Sequence, residues 1–260
     1  MLIKKILFFF ASLTLAVLVS VYLHEMGHVF GLKLATGQTA TVTFNPLHGA
    51  VTTYANQSMT QAQARLVTGG GILFGALFGI VLGLAAWGLG RSLWSAPFLL
   101  VGVLSSGLNG LMLVIGTAIN QSNDIGRLLS LGISPVLMFV FGLILLLICL
   151  GLFLMVLPAL GITARTPLGE RCLVLFSGVA PYLVSVMVYN YFKHPQKMVL
   201  YSLYCFFSVV STFFAILLSQ ALQHCVQSPA DGLRSELAWT HVIYAHGLMV
   251  LSICYVLFAV

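Results

Sequence analysis

Charged side chains are so sparse in this chain that they leave long uncharged stretches between them, at 6–24, 66–90, 92–123, 128–164, 172–192, 198–230 and 237–260. At 1.5 Å per helical residue, each is long enough to cross about 30 Å of hydrocarbon. Only 6% of the 260 residues are charged and 60% are hydrophobic, against about a quarter charged in soluble domains. The reading is an all-α polytopic membrane protein with about seven transmembrane helices. Lys4 and Lys5 ahead of the first apolar run resemble a secretory leader. Cleavage near Ser20 would detach the residues discussed next, so the segment is read as a retained helix.

The segment 34–64 is uncharged too, but Thr, Gln and Asn interrupt its apolar residues. It reads as membrane-associated rather than spanning. Residues 37–55 form an expected β-hairpin. Thr39-Ala40-Thr41-Val42-Thr43-Phe44 alternates with period two, Asn45-Pro46-Leu47-His48-Gly49 is a turn, and Ala50-Val51-Thr52-Thr53-Tyr54 returns. Such a hairpin either offers an edge to an extended peptide or only closes the loop. His48 is either a further imidazole near the site or a water-exposed turn residue.

The chemistry is concentrated in His24-Glu25-Met26-Gly27-His28, an H-E-x-x-H motif. Residues four apart share a helix face, so His24 and His28 can present two imidazoles to one metal ion. Glu25 lies about 100° round the same turn, placed to take a proton from a water. Ionisable groups in an apolar segment are costly to bury and mark function.

A catalytic zinc takes three protein ligands and an open position. Asp124 is the only acid between Glu25 and Glu170, and it closes an apolar span. It is the best available third ligand; the alternative is a loop carboxylate paired with Arg127. Ser105, Ser106 and Asn109 lie within the third span. Asn109 must find a hydrogen-bond partner there, either a helix backbone or a substrate group.

Other features carry less chemistry. Gly71, Gly75, Gly79 and Gly83 line one face of the second span, for packing on the motif helix or for a dimer contact. The five cysteines form no C-x-x-C, so neither a disulfide framework nor a cysteine metal site is expected. The net charge of +6 is scattered through loops, without the clustering that nucleic-acid binding needs. Glu170 and Arg171 read as solvated or headgroup-facing, and His241 and His246 as core or interface residues.

Over residues 1–130 the chain resembles the site-2 protease family of intramembrane zinc metalloproteases. His24-Glu25-Met26-Gly27-His28 is similar to the motif on that family's first core helix. Asn45-Pro46-Leu47-His48-Gly49-Ala50-Val51 is similar to its Gly-containing hairpin. Asn109 with Asn123-Asp124-Ile125-Gly126-Arg127 is similar to its Asn and Asp-Gly element. In place of the family's Gly-Pro and following Asn, the second helix has Gly69-Gly70-Gly71-Ile72-Leu73-Phe74.

The resemblance implies one Zn2+ held by His24, His28 and Asp124, with Glu25 catalytic and Asn109 placing substrate. It implies an endopeptidase acting on membrane-spanning protein substrates. The expected layout is a three-helix metalloprotease core at 1–130, with the hairpin at 37–55, and C-terminal helices of unassigned role at 131–260. The expected setting is the plasma (inner) membrane of a bacterium. The competing class is a non-proteolytic membrane protein of the same fold, binding helices as a pseudoprotease or chaperone.

Overall fold

The computed structural model describes residues 2–45, 49–53, 58–89, 92–119, 123–159, 162, 166–193, 202, 206, 210, 217 and 237–258. In order they form α1 (Leu2–Thr36), β1 (Thr41–Asn45), β2 (Gly49–Thr53), α2 (Gln61–Leu89), α3 (Ala96–Ile119), α4 (Asn123–Ser130), α5 (Pro135–Ala159), α6 (Leu168–Lys193) and α7 (Trp239–Phe258). Four helices are long and apolar enough to cross a membrane: Leu2–Thr36, Gln61–Gly88, Ala96–Thr117 and Pro135–Leu157. Helices α6 and α7 fall on two more of the expected spans. The stretch 198–230 lies outside the described residues apart from four single positions, as do His48 and the hairpin turn around it.

Helix α1 does not stop at the histidines. It runs 35 residues without a break, about 50 Å at the helical rise. Its side chains from Phe8 to Ala16 join one apolar core with residues of α3, α5, α6 and α7, including Leu99, Leu152, Val174 and Val242. Packing therefore crosses residue 130 freely. Large apolar side chains on α2 and α5, among them Leu73, Leu77, Val81, Val136, Leu137, Val140 and Leu147, face outward. An exterior of that kind suits hydrocarbon rather than water.

Glycine sets how closely the first three helices approach. On α1, Gly27 and Gly31 lie directly against the backbone of α2, at Gly70 and Leu66. A Cβ on Gly31 would come within 2.6 Å of the Leu66 oxygen, where no side chain fits. The stripe on α2 divides its attention. Gly71 and Gly75 face His28 and His24 of α1, while Gly79 and Gly83 face Ser105 and Gly102 of α3. The stripe packs on the motif helix over only half its length, and α3 takes the other half.

Helix α2 starts on a capping box. The Thr60 N–H donates to Oε1 of Gln63 at 3.0 Å, and the Gln63 N–H donates back to the Thr60 hydroxyl at 3.3 Å. Residues 41–45 and 49–53 pair antiparallel as expected, with Val42 opposite Thr52. Glu170, half-buried, accepts from Lys5 at 2.8 Å, and that lysine is buried. Arg171 is buried as well, its Nε donating to the Thr166 carbonyl at 2.8 Å.

Candidate metal centre

His24 and His28 stand one turn apart on α1 with their rings edge to face, centroids 4.9 Å apart. Each ring is fixed by the nitrogen that points away from the other. Nδ1 of His28 lies 2.8 Å from the Val67 carbonyl oxygen of α2. A carbonyl only accepts, so Nδ1 carries the proton and Nε2 keeps its lone pair. Nδ1 of His24 lies 2.9 Å from Oδ1 of Asn109. Nδ2 of that amide donates to the Ser105 carbonyl at 2.7 Å, which leaves the oxygen towards the imidazole. His24 therefore also donates from Nδ1 and offers Nε2.

Asp124 closes the set. Its Oδ2 lies 3.2 Å from Nε2 of His24 and 3.4 Å from Nε2 of His28. The carboxylate reaches this point on α4, a helix of its own rather than the end of the third span. Ile125, fully buried, and Leu128 anchor α4 in an apolar cluster with Ile72, Leu113 and Met138. The helix ends on Gly132 at φ 80°. Ile133 N–H bonds to the Leu128 carbonyl at 3.0 Å and Gly132 N–H to the Leu129 carbonyl at 2.9 Å, a left-handed cap. Gln61 and Arg65 of α2 both donate to the next carbonyl, Leu131, at 2.8 Å.

Two neutral Nε2 atoms and a carboxylate oxygen thus face one another with lone pairs inward. Such a set repels itself unless a cation or proton lies between. The 3.2 and 3.4 Å separations match the edge of a tetrahedron, about 3.3 Å for metal–ligand bonds near 2.0 Å. The donor chemistry fits a divalent cation.

Glu25 shares the cluster: its carboxylate and the two imidazoles offer ligand atoms within 4.8 Å of one another. It is buried. Its Oε2 accepts from the Thr52 hydroxyl of β2 at 2.6 Å, a contact that no sequence periodicity announces.

The structure thus brings His24, Glu25, His28, Asp124 and Asn109 into one place. Asn109 sits behind His24, buried at 3% exposure, with both ends of its amide engaged by protein groups. Of the two partners open to it, the helix backbone is one it takes, and the imidazole is a third that spacing does not reveal. Below it a hydroxyl chain continues, Ser105 donating to Ser20 at 3.0 Å and Ser20 to the Val101 carbonyl at 3.3 Å. The distant histidines have other uses. His241 packs its ring on Trp94 at 4.6 Å, and Nδ1 of His246 meets the Val242 carbonyl at 2.8 Å.

No family model, curated protein or solved structure matches this chain.

Proposed function

We propose that this chain is an intramembrane zinc endopeptidase that hydrolyses peptide bonds of membrane-spanning proteins. The observation that carries the reading is the Asp124 carboxylate meeting both motif imidazoles, at 3.2 and 3.4 Å, with the Glu25 carboxylate in the same cluster. A binding protein or a pseudoprotease has no use for that carboxylate. His24, His28 and Asp124 would hold the zinc, which when bound polarises a scissile carbonyl and lowers the pKa of a water towards about 7.

Glu25 takes the proton from the attacking water and later gives it to the leaving amine nitrogen. Asn109 and Val67 hold the two imidazoles in the tautomer that leaves Nε2 for the metal. The substrate helix must unwind to be cut, because a helical carbonyl is engaged in hydrogen bonds.

The setting we propose is a multi-pass protein of about seven spans in a bacterial plasma membrane. Lys5 and Lys33 are 28 residues apart on α1, about 42 Å, the full thickness of a bilayer with its headgroups. The motif then lies about 10 Å below the level of Lys33, inside the hydrocarbon and off its midplane.

The test is to purify the full chain in detergent, measure bound zinc and follow cleavage of a fluorogenic peptide of transmembrane length. One zinc per chain with cleavage abolished by Glu25→Gln supports the reading. Zinc without cleavage in the intact chain favours a non-proteolytic helix binder.

A further inference from the structure

Strand β2 brings a hydroxyl to the motif helix against the pattern of its own hairpin. Thr41, Thr43 and Thr53 are exposed, and the Thr53 hydroxyl is turned onto the Thr41 carbonyl within the sheet at 3.3 Å. Thr52 pairs with Val42 across the ladder, so the two side chains share the opposite face. An apolar residue would suit that position. The hydroxyl there meets a carboxylate instead, 2.6 Å from Oε2 of Glu25, and also lies 3.2 Å from the Glu25 carbonyl oxygen.

We infer that Thr52 is the positioning residue for Glu25, and that its hydroxyl is the tie by which the hairpin is held to the motif helix. The inference rests on reading Glu25 as the general base. Thr is suited to the task. Its χ1 is stiff on a strand, so the donor is held in one direction. A hydroxyl bonded to an ionised carboxylate makes a short, charge-assisted bond. The hydroxyl is neutral and fixes Oε2 without competing as an acid, which leaves Oε1 to receive the proton. A hairpin displaced from α1 releases that oxygen, so the base is in register only while the hairpin is seated.

Thr52→Val and Thr52→Ser, made in the full chain and loaded with zinc, test this on the same fluorogenic transmembrane peptide. Thr52→Val is expected to lower kcat about tenfold to a hundredfold, the scale of a misplaced catalytic group. KM and zinc stoichiometry stay as in the parent chain, and Thr52→Ser recovers most of the rate. A second measurement needs no substrate. Amide hydrogen exchange at 49–53 should quicken about tenfold in Thr52→Val and in Glu25→Ala, and no further in the double variant.

Full kcat in Thr52→Val, an equal loss in Thr52→Ser, or additive exchange effects overturn the inference. A parent chain that binds zinc and cleaves nothing removes it together with the reading of Glu25 as base. That outcome is distinct from a parent chain that cleaves and a Thr52→Val variant that cleaves equally well.

Discussion

Oδ2 of Asp124 and Nε2 of His24 lie 3.2 Å apart across 100 residues of chain. The same oxygen is 3.4 Å from Nε2 of His28. Replacing Asp124 by Ala removes the only carboxylate within 4.0 Å of both rings' Nε2 atoms among the described residues. Zinc content should fall from one per chain to near zero, and cleavage with it, as read by elemental analysis of the purified variant. Retained zinc would take Asp124 out of the site.

Glu25→Gln preserves shape and hydrogen-bonding capacity but cannot accept a proton. Bound zinc should be unchanged while the rate falls by about 10²–10⁴-fold, the usual contribution of a general base. Comparable loss of zinc and rate would make Glu25 a ligand.

Asn109→Leu strips His24 of the group that holds its Nδ1 proton. Metal affinity should weaken about 10–100-fold, the scale found for groups that orient a ligand. Chelator competition measures it. If Asn109 instead served substrate, KM would rise and zinc affinity would stay as it was.

Gly71→Ala places a methyl group on the His28 imidazole, whereas Gly88→Ala meets nothing within 4 Å. The first should cost about 1–3 kcal/mol by overpacking and also weaken zinc binding. The second should leave both thermal unfolding and zinc unchanged.

What the residue order could tell was which face and which end, but not which neighbour. The spacing of His24 and His28 gives a shared helix face, and the alternation after Gly37 gives two strands where β1 and β2 stand. The glycine stripe gives a smooth face on α2, yet its period says nothing of a partner that changes between Gly75 and Gly79. Thr52 is one of several threonines in an alternating run, and only the docking of the hairpin distinguishes it. Asp124 was legible by elimination, as the single acid in a long apolar stretch. Its delivery on a separate helix was not, because α4 is fixed by Ile125 in a shared core and by Gly132 at its end. The ion pair of Glu170 was not legible, because its partner Lys5 is 165 residues away.

The ring of Phe9 lies on Gly178 of α6 so closely that a Cβ there would come within 2.6 Å of it, and Phe8 is equally enclosed. A chain cut after Ser130 would strip these rings of their cover at one end of the helix that carries His24 and His28 at the other. Among the described residues, the half of the chain that contributes none of the candidate-site side chains thus covers one end of the helix that carries His24 and His28.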